Sequence, residues 1–373
     1  MLRLIQFTAL ILVILLNSCY DRKKYDITSY IYDIPLDSIT SELWFPELMA
    51  INARSMIGIK SKLCLIGPDE HMLTYYIDET TGKELGYAGI VGEGPEDMQP
   101  FPIYAGKSIN GDTIYLYDFN VKKINAYQLN ETNDGKPKLK MVFSKRLPNP
   151  LVGKYSSSYM GICKTANGYY VGLNFLSVSD KFLTLLDNDL NIIKEFGEQP
   201  LEGLPSKGSI KSFRSFDGTL CVFENSIYYA ASKMAYMARY DITEKGQVIH
   251  KWTQRYTDVK YKIENKQNIK FRSDNLKGFS DMIVGKKYIF ATYSGIPMAK
   301  MFKERSVNAI GARTLVVFNH EGEPLGRFKL RSCSFCVGLS DDEEYIYVMN
   351  IDPEVQIERM KVSDIEDKIK NKI

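Results

Sequence analysis

The chain has 373 residues, with 48 basic and 45 acidic side chains and a formal net charge of +3. That near balance excludes the strongly basic footprint of a nucleic-acid-binding protein, and the length suits one large repeat domain or two ordinary ones. With 25 tyrosines and 18 phenylalanines beside many valines, isoleucines and threonines, the composition favours pleated surfaces and an all-β chain.

Arg3 gives a short basic start, and Leu4 to Leu16 is apolar apart from Gln6 and Thr8. A bilayer-spanning helix needs about 20 apolar residues, whereas a secretory signal needs only ~7–15. The small residues Asn17 and Ser18 follow, and then Cys19. Leu16-Asn17-Ser18-Cys19 resembles a bacterial lipobox. That resemblance implies cleavage before Cys19, diacylation of its thiol and palmitate-type acylation of the new amine. A plain signal peptide or a retained anchor is the alternative. The expectation is therefore a signal peptide over 1–18 and a lipidated tether over 19–28. Asp21-Arg22-Lys23-Lys24 opens that tether, with no acidic cluster after the cysteine. By resemblance to lipoprotein sorting signals, this points to an outer-membrane anchor facing the periplasm. No later segment is long and apolar enough to span a membrane.

From residue 29 onward one pattern recurs: a tyrosine-rich apolar run directly after a tight polar turn. It starts at Leu63, Ile114, Tyr169, Ile227, Tyr288 and Tyr345, at intervals of 51 to 61 residues. An apolar strand precedes most of these runs across turns such as Asn110-Gly111-Asp112, Asn167-Gly168 and Glu224-Asn225. A second hairpin follows in four of them, turning at Asp78–Gly82, Asp187–Asn191, Asp241–Gly246 and Asn319–Gly322. Asn, Asp and Gly between apolar runs are hairpin chemistry. Four strands per copy in six copies predict a six-bladed β-propeller of four-stranded antiparallel blades. The last copy is one strand short, and Ser29 to Leu36 is the expected N-terminal strand closing it, which would remove two sheet edges. The propeller spans 29–362 on this reading, and 363–373 is a short helical C-terminal tail. Helical periodicity also shows briefly around Met298 to Ser306.

The segment Ile90 to Met98, IVGEGPEDM, resembles a turn of bacterial TolB-like six-bladed propeller lipoproteins, matching at Gly92, Gly94 and Pro95. Glu96-Asp97-Met98 departs from the family's Gly-Glu-aromatic. VVFNHEGEPLGRFKL, from Val316 to Leu330, resembles a strand–turn–strand near the end of those proteins. The resemblance implies a lipid-anchored propeller and supplies no catalytic residues.

Little catalytic chemistry is legible. His71, His250 and His320 lie in three copies without a ligand partner at metal-site spacing, so no metal and no cofactor is expected. Asp187, Asp189, Asn191 and Glu198 fall at calcium-loop offsets, but Ile192 stands where that loop needs glycine, which favours a plain hairpin. Beyond Cys19, Cys64, Cys163 and Cys221 sit in apolar strand-like runs. Cys333 and Cys336 have redox spacing without a βαβ context, so a disulfide or two buried thiols is expected.

Strand parity places the long connections, at 146–159, 198–217, 253–278 and 294–312, on one face. Arg214, Arg255, Tyr256, Arg272, Lys303 and Arg305 lie there. Interleaved arginine and tyrosine suit a binding surface. The reading is a binding module for an envelope protein or a glycan, held to the membrane by its lipid, with no nucleic-acid partner. Its alternatives are a carbohydrate-active enzyme with carboxylates at the central channel, and a structural component of an envelope assembly.

Overall fold

The computed structural model describes residues 30–45, 53–94, 97–147, 158–176, 181–198, 201, 217–264, 268–304, 311–350 and 355–371. Two short strands come first, β1 (Leu36–Ser38) and β2 (Glu42–Phe45). Four separate four-stranded antiparallel sheets follow. The first holds β3 (Ser55–Ile59), β4 (Lys62–Ile66), β5 (Met72–Asp78) and β6 (Glu84–Ile90). The second holds β7 (Ile103–Lys107), β8 (Thr113–Asp118), β9 (Lys123–Glu131) and β10 (Pro137–Arg146). The third holds β11 (Ser158–Lys164), β12 (Tyr170–Leu176), β13 (Lys181–Leu186) and β14 (Ile192–Glu198). The fourth holds β15 (Gly218–Phe223), β16 (Ser226–Ala231), β17 (Tyr236–Ile242) and β18 (Val248–Arg255). A hairpin of β19 (Tyr261–Glu264) and β20 (Asn268–Phe271) interrupts the series.

The remaining strands join one eight-stranded sheet: β21 (Phe279–Val284), β22 (Ile289–Tyr293), β23 (Ala312–Phe318), β24 (Pro324–Leu339), β25 (Tyr345–Asn350) and β26 (Gln356–Lys361), with β1 and β2. The join is β24, which runs for 16 residues. Its first half pairs mainly with β23 and its second half with β25. Helices stand at α1 (Met298–Glu304) and α2 (Val362–Lys370), where the sequence shows helical periodicity. Ile365 and Ile369 of α2 are buried against the sheet, so this segment is packed onto the fold.

The arrangement is a β-propeller. Strand β15 lies against β11 and β21, β21 against β24, β24 against β3, and β7 against β11, and Lys107 of β7 donates to the Gly58 carbonyl of β3, which closes an inner circle. Between neighbouring sheets lie apolar layers. Ile57, Tyr76, Ile114 and Tyr127 join the first sheet to the second, and Tyr117, Ile124, Ile162 and Tyr170 the second to the third. Phe182, Leu183, Tyr229 and Tyr240 join the third to the fourth, and Tyr228, Met237, Phe279 and Phe318 link the fourth to β21 and β23. Met56, Leu65, Tyr347 and Ile357 bring β25 and β26 back onto the first sheet. The tyrosine-rich runs of the sequence are thus the second strands of the sheets, and each ring carries a large apolar area into a layer. Gly58 permits the closest approach of the two ends: a Cβ there would stand 2.1 Å from the Asp341 nitrogen.

The N-terminal segment departs from the sequence-based expectation. Ile31–Asp33 is a single 3₁₀ turn, not a strand. Ile31 is fully buried, and its N–H donates to the Tyr256 carbonyl, so the segment plugs an apolar layer. The strand that pairs with β26 is β2, Glu42–Phe45. The apolar Ile31 side chain gains more from the layer than from a sheet edge.

Candidate functional site

Of the four long connections expected to gather on one face, 148–157, 199–200, 202–216 and 305–310 lie outside the described residues, so the described geometry is mainly that of the connection after β18. Arg214 and Arg305 lie outside the described residues, as do Cys19 and Pro95. The connection from Tyr256 to Phe279 carries the β19–β20 hairpin and is stapled by Asn275, which is 1 % exposed. Its Nδ2 donates to the Lys233 carbonyl at 2.8 Å, and its Oδ1 accepts the Lys260 N–H at 2.9 Å. Its carbonyl accepts the Met298 N–H, which ties the start of α1 to the same point. The buried side-chain amide therefore fixes the hairpin and the β16–β17 connection together, since a buried amide must find partners, and the backbone carbonyl of the same residue holds α1. Nothing in the sequence marked Asn275, an ordinary polar residue in a loop.

Exposed on the hairpin, Arg272 donates through Nε to Asp274 Oδ1 at 3.1 Å, and Lys260 reaches Asp274 Oδ2 at 3.0 Å. Lys262 and Lys270 share Glu264 at 2.8 and 3.4 Å. The hydrogen bond from Lys260, with Arg272 beside it, holds Asp274 below its ordinary pKa, and Lys262 does the same for Glu264. Two carboxylates thus serve four cations on this segment, which leaves a basic excess there. Lys303 is exposed on α1, and Arg255 is half-buried at the end of β18.

Tyr256 does not belong to the surface. It is fully buried, its ring 5.1 Å from Phe318 and 6.1 Å from Phe279, and its hydroxyl donates to the Gly322 carbonyl at 2.7 Å. It is a core residue whose polar tip is satisfied by a neighbouring turn. Lys277 is half-buried at the end of the same connection. Burial pulls its amine down to about 8, against the opposing effect of Cys333.

At the inner circle stands Asp281, half-buried on β21. Its Oδ2 accepts the Val337 N–H at 2.9 Å and its Oδ1 the Thr219 hydroxyl at 3.3 Å, so it bridges β24, β21 and β15. Burial pushes its pKa from 3.8 up to about 7, while these hydrogen bonds pull the other way. Cys221 donates to the Met282 carbonyl beside it. The five described cysteines are free thiols, Cys333 and Cys336 included. Burial, and then Asp281, push the Cys336 thiol well above its ordinary value.

Among the described residues, no group of three His, Cys, Asp or Glu side chains is arranged to hold a metal. The Asp187 carboxylate accepts the N–H groups of Asp189 and Asn191 in the turn joining β13 to β14. His320 does more than cap a turn. It lies between sheets, with Nδ1 2.6 Å from the Tyr228 hydroxyl and Nε2 3.0 Å from the Lys286 carbonyl. The carbonyl can only accept, so Nε2 carries the proton and Nδ1 accepts from Tyr228.

At the IVGEGPEDM turn, Asp97 Oδ2 accepts the Gly94 N–H at 2.9 Å. A Cβ on Gly92 or Gly94 would stand 2.4 or 2.7 Å from that same oxygen, so both positions need glycine for the carboxylate to fold back.

No family model and no curated protein matches the chain. Among solved structures, a Bacteroides fragilis protein with a provisional name as an exported protein aligns over 92% of this chain and 90% of its own, at 10% identity and a TM-score of 0.55. The Cps50 propeller domain of Myceliophthora thermophila aligns over 84% and 98%, at 9% identity and a TM-score of 0.48. BamB from Moraxella catarrhalis aligns over 83% and 85%, at 12% identity and a TM-score of 0.36. Identities this low speak to fold alone.

Proposed function

We propose that this chain is a lipid-anchored, six-bladed propeller of the bacterial cell envelope that binds a protein partner through its long-loop face. The observation that carries the binding reading is the Asn275 staple, which ties a two-stranded hairpin, the β16–β17 connection and the start of α1 to one buried residue. Binding residues are disproportionately carried on loops that a rigid scaffold positions. Six blades follow if the two halves of β24 belong to a fifth and a sixth blade. The layer of Phe290, Leu315, Val337 and Ile346 supports this, because it packs the two halves of the eight-stranded sheet face to face. Anchoring at Cys19, export and the outer-membrane, periplasm-facing location rest on the lipobox, and the TolB-like kinship on the Gly92-Gly94-Pro95 turn. The low-identity likeness to a protein named for export agrees with the location.

A glycan is the second candidate ligand. The enzyme reading has weaker support. Asp281 is one carboxyl beside the inner circle, where glycosidic hydrolysis uses two at a set separation.

The test is purification of the full-length lipidated chain from native membranes in mild detergent, beside a variant carrying Arg272→Glu and Lys303→Glu. A stoichiometric partner that the variant loses supports the reading. A partnerless chain, or a partner retained by the variant, contradicts it.

A further inference from the structure

The long-loop face accounts for one side of the molecule and leaves its flank unexplained. There β1 runs parallel to the first half of β24, with Leu36 opposite Arg327 and Ser38 opposite Lys329. Burial alternates along β24: Phe328 and Leu330 point into the core, and Lys329 and Arg331 are exposed. By the two-residue period of a strand, Arg327, Lys329 and Arg331 form one outward row, which Leu36 and Ser38 extend. Tyr32 lies over this row, its ring 5.2 Å from the Arg327 guanidinium. Leu36 and Tyr32 are each 49% exposed and Tyr30 is 40% exposed. The Asp37 position faces Phe328, on the inward side. Exposed carboxylates border the row at Asp33 and, in the turn before β24, at Glu321 and Glu323, while the row itself carries three cations.

We propose that this flank lies against a bilayer surface bearing anionic headgroups. Exposed tyrosines beside lysine and arginine are the composition of protein surfaces at the headgroup level, where amphipathic rings and cations are both accommodated. The proposal rests on the lipid-anchor reading, and chain length agrees with it. Ten residues separate Cys19 from Tyr30, the first described residue, and ten residues reach at most about 35 Å. An acylated Cys19 therefore keeps the Tyr30–Tyr32 end of the flank within reach of the headgroups.

Reconstitution of the full lipidated chain tests this in vesicles of phosphatidylethanolamine, with and without phosphatidylglycerol. Single labels are placed through Ser38→Cys on the flank and Ile109→Cys, a highly exposed position in the β7–β8 turn. The native described thiols are buried, or half-buried in the case of Cys221. A headgroup-attached quencher is expected to quench the label at 38 several-fold more than the label at 109 in the anionic vesicles. Lys329→Glu with Arg331→Glu removes the difference, and so does high salt on the unsubstituted chain, which screens surface attraction without any mutation. Equal quenching at both sites overturns the proposal, as does a difference indifferent to phosphatidylglycerol and salt. Intact mass of the same sample separates the failures. Acyl mass with equal quenching sinks the docking alone; no acyl mass at Cys19 sinks both this and the anchor.

Discussion

The Glu79 carboxyl accepts the backbone N–H of Asp341 at 3.2 Å, and so ties the end of the first sheet to the turn between β24 and β25. Around this contact, Lys107 pairs with Asp341 at 3.1 Å and donates to the Gly58 carbonyl, while Arg359 reaches the Glu79 carbonyl. Three sheets meet there, where the ring closes.

Burial is the main reason that Glu79 titrates at about 7 instead of 4.5. Asp342 and Asp341 add to it, while the Asp341 N–H and Lys107 oppose it. A pKa raised on folding means stability that is complete below the unfolded value and lost as pH rises through the folded one. Asp281, raised to about 7 by its own burial, acts with the same sign. Urea midpoints are therefore expected to fall between about pH 4 and pH 7. Glu79→Gln should flatten that fall in part, and Glu79→Gln with Asp281→Asn should flatten it further. A double variant with the unsubstituted slope contradicts this.

Gly58→Ala should destabilise by at least about 1–3 kcal/mol, as overpacking does. The new methyl meets backbone at the first-to-last contact, which cannot yield as a flexible side chain can. Equilibrium denaturation reads the loss.

Truncating Tyr256 to alanine should cost about 3–5 kcal/mol, the range for a buried aromatic. Tyr256→Phe keeps the ring and leaves the Gly322 carbonyl without its donor, at about 1 kcal/mol. Partner binding by Tyr256→Phe should match that of the unsubstituted chain, because the ring is internal.

Asn275→Ala should loosen the hairpin without unfolding the ring. Faster amide exchange and protease cutting confined to residues 257–278 are the expected signs, with the strands of the four separate sheets unchanged. Uniformly faster exchange would place Asn275 in the global core instead.

Much of the fold was legible because its repeat is chemical as well as spatial. Gly111 and Gly168 adopt positive φ in turns between apolar runs, and such turns announce hairpins. The four-strand count also reads from sequence, since Asp187 and Asp241 begin further hairpins. What did not read was tertiary. Ile31 looked like a strand residue because apolar alternation is blind to whether a side chain pairs at an edge or enters a layer. Tyr256 looked like a binding residue because its position in a long connection carries no sign of the Phe279–Phe318 pocket. The Arg272 and Lys260 charges were visible, but their closure onto Asp274 depends on hairpin geometry. Asn275, Glu79 and Asp281 draw their roles from partners 15 to 262 residues away, distances at which local patterns say nothing.

The central claim is a partner held on the long-loop face. It is tested most directly by a photo-crosslinking residue placed at Lys303 on α1, and separately at Ile109 in the β7–β8 turn, in the full-length chain in native membranes. The account predicts one dominant adduct of fixed mass from position 303 and none from 109. Adducts of equal yield from both positions, or none from 303, would contradict it.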